Sequence, residues 1–196
     1  MIKTFPPLKL RQSEILRYAG VKEKSEDMLG LASEMEKKIN SLVKNKAVYE
    51  FFEVRTEDDC VYLQDRVIRS KDLAKNLKNC KTVMLTAVTL GIEVDRAIAI
   101  ESALSPSRAV MLDACGVEAV ERLCDELIAV VESEENIKLR ARFSAGYGDL
   151  NIEEQEEIFK LLDCGRKIGL YLNDSMLMSP SKSVTAFVGV EERNDT

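Results

Sequence analysis

The chain has 196 residues, 28 Lys plus Arg against 34 Asp plus Glu, and no histidine. Without an imidazole there is no Ser-His or Cys-His nucleophile pair, no histidine general base, and no histidine ligand to zinc, haem iron or the cobalt of a corrinoid. A net charge of −6 argues against nucleic acid as the main partner, since phosphate binding needs a basic face, and 45% apolar with 32% charged residues is ordinary globular composition.

Pro6-Pro7 gives an extended entry to a short helix expected from Ser13, as N-cap, through Glu14-Ile15-Leu16-Arg17-Tyr18 to a stop at Gly20. A longer helix is expected after Ser25 to about Lys44, because Met28, Leu31, Ala32, Met35, Ile39, Leu42 and Val43 recur at helical spacing. Ala47 to Val54, rich in aromatic and β-branched residues, reads as a strand, and Cys60 to Leu63 as a second after the Glu57-Asp58-Asp59 turn. Ser70 caps a short helix through Leu77. Lys81 to Val88 is a continuous apolar run, as in a strand buried on both faces. A helix then runs from Ile92 to about Leu104, with Glu93 and Asp95 in its dipole-favoured first turn.

Ser105-Pro106 signals the next helix, a capping hydroxyl followed by proline at the first helical position. The recurrence of Val110, Ala114, Val117, Val120, Cys124, Leu127 and Val131 gives it about 26 residues. Alternation at Ile137, Leu139, Ala141 and Phe143 predicts a strand, followed by a Ser144 to Asp149 loop. Asn151 with Glu154 forms a capping-box pattern that opens a helix through Leu162. A short helix to Gly169, a loop at Met178 to Ser181 and a strand from Ser183 to Val190 complete the chain. This is an α+β order without regular βαβ alternation. No Pro/Gly-rich linker divides it, so residues 1–196 read as one domain, with a helical arm at 1–45 and an α+β body at 46–196.

No segment approaches the ~18 apolar residues of a membrane span, and the first seven residues lack a signal-peptide core, so a soluble, cytoplasmic protein is expected. The five cysteines contain no CxxC pair and no zinc spacing. Phosphate-binding GxxxxGK[ST] and GxGxxG signatures are absent. Glu153, Glu154, Glu156 and Glu157 read as first-turn acids favoured by the helix dipole rather than a metal or acid-base cluster. Neither a metal site nor a catalytic residue is assigned.

Arg142-Phe143-Ser144-Ala145-Gly146-Tyr147 is the most informative segment. Its Arg can hold a carboxylate with two parallel bonds, its small residues allow close approach to the backbone, and its Tyr offers a flat face with a polar tip. By composition alone the same residues make an ordinary strand-to-loop junction.

Read together, Thr86-Ala87-Val88-Thr89-Leu90-Gly91, the long helix with Arg122-Leu123-Cys124-Asp125, the Arg-x-x-x-Gly-Tyr loop, Phe159-Lys160-Leu161-Leu162, Ile168 to Ser175 and Met178 to Val184 resemble, in order and spacing over about residues 81–190, the activation domain of cobalamin-dependent methionine synthase. The resemblance implies a mainly antiparallel twisted sheet with flanking helices. It implies binding of S-adenosylmethionine and support for reductive remethylation of the cobalamin on a separate methionine synthase that lacks its own activation domain, with a flavodoxin-like electron donor. Arg142 would contact the methionine part of the ligand, backbone at Ser144 and Gly146 would line the site, and Tyr147 would face the docked corrinoid. Asp125 matches an acidic helix residue near the ligand, or is an exposed helix carboxylate. Departures are a loop poorer in proline, no match to the family's N-terminal acidic contact at Tyr18 to Val21, and no Tyr-bearing tail after the Val184 strand. The alternative is a docking or regulatory subunit for a corrinoid protein, with a decayed ligand site.

Overall fold

A computed structural model describes residues 1–23 and 25–191. The strands are β1 (Ile2–Thr4), β2 (Lys46–Glu57), β3 (Cys60–Leu63), β4 (Arg66–Arg69), β5 (Thr82–Thr89), β6 (Lys138–Leu139), β7 (Tyr171–Leu172), β8 (Met178–Ser179) and β9 (Ser183–Glu191). The helices are α1 (Gln12–Tyr18), α2 (Glu26–Leu42), α3 (Lys71–Asn76), α4 (Ile92–Leu104), α5 (Pro106–Glu135), α6 (Gln155–Leu162) and α7 (Cys164–Ile168). The main sheet is antiparallel, in the order β4-β3-β2-β5-β9-β6, and β1 pairs the first half of β2. The fold is α+β, as expected.

Strand alternation sends side chains to two separate cores. Ala47, Tyr49, Met84, Val88, Ala186 and Val188 face α1, α2, α4 and α5. Val48, Phe52, Val83, Leu85, Ala87 and Phe187 face α3, α6 and α7. Helices on both faces explain the unbroken apolar run of β5, which is buried from Val83 to Thr89. Among the described residues no helix is long and apolar enough to cross a membrane.

Several elements differ from expectation, each with a local cause. The segment before Pro6 forms β1, which pairs with β2 through Ile2↔Val48. Ser13 is not the cap of α1; Arg11 is, and its backbone N–H and guanidinium are both held by the fully buried Glu118 of α5. Ser25 does cap α2, accepting from Met28 N. β2 runs to Glu57 because its second half changes partner from β5 to β3, with Asp58-Asp59 making the turn. Pro106 starts α5, but the Ser105 hydroxyl meets Ser107 rather than a backbone N–H. α5 has 30 residues and ends at Asn136 in the left-handed conformation, its last turn carrying no apolar signal. Asn151 accepts from Glu153 N, one residue short of a capping box, so a 3-10 turn at Ile152–Glu154 precedes α6. Met178–Ser179, expected as loop, pairs with Tyr171–Leu172.

Candidate functional site

The strand expected over 137–143 breaks, and that break shapes the site. Lys138 and Leu139 pair with Glu191 and Val190, Arg140 N donates to Gly189 O, and Phe143 and Phe187 exchange both backbone bonds. Beyond Phe143 the chain peels off β9, and the Ser144 hydroxyl donates to the Thr185 carbonyl at 2.7 Å in place of a ladder bond.

The loop that follows is tightly specified. Tyr147 N donates to Ser144 O, Gly146 N to Leu150 O and Leu150 N to Tyr147 O. Gly146, at φ +87°, has the conformation that an L side chain resists. The Asp149 carboxylate accepts from the Ser70 hydroxyl and from the N–H groups of Lys71 and Asp72, so it caps α3 from across the fold. The Ser70 hydroxyl and these backbone bonds hold Asp149 below the usual carboxylate range.

Between this loop, α5, the Met176 to Met178 segment and the edge of β9 lies a cleft of about 1160 Å³. That exceeds the ~300–1,000 Å³ usual for small-molecule sites, so a ligand as large as a nucleoside joined to an amino acid fits. Arg142, Ser144, Asp125 and Tyr147 all line it. Gly146 does not; its N–H is turned to Leu150, and its part is to set the turn that places Ala145 and Tyr147 on the wall.

Charge is concentrated at the α5 end. Arg142 Nη2 donates to Glu121 Oε2 at 2.9 Å and lies 3.5 Å from Asp125 Oδ1, while Arg122 approaches Asp125 from the other side at 3.7 Å. Burial pulls the Arg142 guanidinium down, but Cys124, Glu121 and Asp125 more than offset it, and the group stands above its ordinary value. Burial pushes the neighbouring Cys124 thiol up to about 12, so it is no nucleophile at neutral pH. Tyr147 stands 68% exposed at the mouth, near the exposed side chains of Ile152 and Leu177.

Three contributors escaped the sequence reading. Glu121, the nearest partner of Arg142, was hidden among the many helix acids. Gln155 is buried on the cleft floor, where Nε2 donates to Met176 O and Oε1 accepts from Thr185 Oγ1. Asp95, read as a dipole-favoured acid, accepts from both the amide and the hydroxyl of Ser181 and ties down the loop before β9. Glu154 and Glu157 pair with Arg66. Among the described residues no cluster of three or more His, Cys, Asp or Glu is placed to hold a metal ion.

No protein-family profile and no curated protein matches the sequence. A solved structure does resemble the fold: the MetH reactivation domain bound to AdoHcy, at a TM-score of 0.73, covering 100% of this chain and 79% of that one. Identity is 16%, so the likeness is one of fold. The likeness of fold spans the whole chain, beyond the 81–190 stretch over which the motifs were read.

Proposed function

We propose that this chain is an S-adenosylmethionine-binding module that supports reductive remethylation of the cobalamin of a separate methionine synthase. The observation that carries this reading is the placement of Arg142 on the Arg-x-x-x-Gly-Tyr loop, at the carboxylate-rich end of a cleft of nucleoside size. The fold it shares with the AdoHcy-bound MetH reactivation domain supports it.

The donor set fits the ligand. A guanidinium beside two carboxylates is complementary to an α-amino acid zwitterion, and Glu121, Asp125 and Glu132 around the cleft favour a cationic sulfonium over a neutral thioether. S-Adenosylmethionine supplies the methyl group. The chain's own residues bind and orient: Arg142 holds the carboxylate, the loop backbone shapes the wall, and exposed Tyr147 presents a flat surface to a docked corrinoid partner. The work is positioning, with no side chain acting as acid, base or nucleophile. A flavodoxin-like protein is the proposed electron donor.

Calorimetry with S-adenosylmethionine tests the site. The expected result is saturable heat that Arg142→Ala reduces by about tenfold or more in affinity, the loss of a charge-assisted bidentate contact. No heat at millimolar ligand, or unchanged heat with the variant, refutes the assignment. A second reading, a docking or regulatory subunit for a corrinoid protein with a decayed ligand site, is favoured by the pairing of Arg142 with Glu121 and by the inward-turned Gly146 N–H. Pull-down of a truncated synthase by the Arg142→Ala protein, with no ligand binding by either form, would select it.

A further inference from the structure

The helices around α4 turn a polar side to water, and α4 does not. The exposed positions of α2 are Glu26, Asp27, Gly30, Glu34, Lys37 and Ser41, and those of α6 are Glu156 and Lys160. In α4, Val94 and Ala97 are buried in the core shared with α5, while Ile92, Ala99, Ile100, Ala103 and Leu104 are exposed on the opposite side. Ile100 is 58% exposed and Leu104 75%. A helix that is apolar all round is one that is covered on both sides. Ser105 alone separates α4 from α5, where exposed Pro106 and Val110, one turn apart, continue the apolar surface. Together these side chains present about 600 Å² of apolar surface, at the top of the range for a patch left open on a monomer.

Charge and size identify what covers it. The one charged residue exposed on α4 is Arg96, and its Nη1 donates to Glu93 Oε1 at 2.7 Å, one turn back in the same helix, so the face carries no net charge. Such a face offers no electrostatic handle to a strongly charged partner. It is also where two chains of net charge −6 meet with least repulsion. With Arg96 and the small polar residues beside it, the surface amounts to about 800 Å² per copy, the area that a stable dimer buries on each side. We propose that α4 is a homodimer interface, in which two copies pack α4 against α4, antiparallel, across a two-fold axis. With the axis at residue 98, the midpoint of the helix, Ile92 of each copy meets Leu104 of the other and the Arg96 stem lies over Ile100. Ala99 and Ala103 allow the two backbones to approach closely. No residue of α4 lines the cleft, so the dimer is independent of the proposed function.

Sedimentation equilibrium on the full chain tests this, at concentrations from about 1 to 100 μM. The expected mass rises to twice the 22.0 kDa of the chain. Ile92→Glu and Leu104→Lys each set a charge against an apolar side chain at both crossings of the dimer. Both positions are exposed and each new charge suits its end of the helix, so the fold is kept, with far-UV circular dichroism as the check. Each variant alone is expected to dimerise at least about 100-fold more weakly. Mixed in equal amounts, the two variants should form a dimer again, because one crossing then pairs a carboxylate with an ammonium and the other keeps Ile92 against Leu104. An unmodified chain that stays monomeric throughout this range overturns the inference, as does a dimer that either variant leaves intact. A mixture of the variants that stays monomeric overturns the antiparallel pairing. A monomeric chain that captures a truncated methionine synthase, and loses it with Leu104→Lys, assigns the face to that partner and overturns the homodimer.

Discussion

Glu121→Gln is the substitution that best separates competition from contact in this site. Glu121 holds Arg142 at 2.9 Å, with 36% of the acid and 23% of the guanidinium side chain exposed, so the pair is partly screened. Pairs of this kind are worth about 0.5–1 kcal/mol after side-chain entropy and screening. A ligand carboxylate must displace that interaction before it can use Arg142. Glutamine keeps the shape and one acceptor but removes the charge, so a ligand with a neutral sulfur is expected to bind about twofold to fivefold more tightly. The gain stays at the low end because Asp125, at 3.5 Å, still draws on Arg142. For the sulfonium ligand a second effect opposes the first. A carboxylate about 6–8 Å from the cation at an intermediate dielectric contributes about 1 kcal/mol, and its loss cancels the gain. Titration of S-adenosylhomocysteine and S-adenosylmethionine into both proteins should therefore show the neutral ligand gaining while the cationic ligand stays level or weakens. The ratio of the two affinities should move by roughly fivefold, and by less at high salt. Weaker binding of S-adenosylhomocysteine to Glu121→Gln would refute the reasoning, because Glu121 would then be a ligand contact and not a competitor.

Other outcomes follow from the same structure. Gly189→Ala is expected to destabilise the fold by about 1–3 kcal/mol in urea unfolding, since a Cβ there meets Cys80 Sγ at 2.8 Å, Leu77 Cδ2 at 3.1 Å and Arg140 Cδ at 3.2 Å; an unchanged midpoint would show that the Arg140 turn relaxes freely. Burial pushes the thiols of Cys115, Cys124 and Cys164 up to about 12 from 9.0, so the folded chain keeps protons that the unfolded chain releases, and stability falls as pH rises above about 9. In the native state a thiol reagent should reach Cys60 alone, the other four cysteines being buried. Asp149→Asn should speed amide exchange across residues 144–150 without altering α5. The same loosening is expected in the unmodified protein as pH falls below 3.8, because the capping carboxylate is held below its ordinary value and its contribution is lost on protonation.

The fold was legible where a periodic pattern met a single environment. β5 announces its double burial in an unbroken apolar run, and α5 shows its stripe, because each buries one consistent face along its length. Legibility failed where partners decide the local structure. Arg11 displaces Ser13 as the start of α1 only because Glu118, 107 residues away, captures both its backbone and its guanidinium. The site divides in the same way. Arg142 and Tyr147 stand out because their chemistry is rare beside small residues, whereas Glu121 is one acid among 34 and gains meaning only at 2.9 Å from Arg142. The opening of the cleft lies further from view, since it depends on where a strand pairing ends. The cause is a ladder that stops at Phe143, where a turn pinned by Asp149 on α3 pulls the partner strand away and Ser144 fills one of the vacated bonds. No residue type encodes such an opening. It arises from the mismatch between a nine-residue strand and a neighbour that follows it for only part of that length.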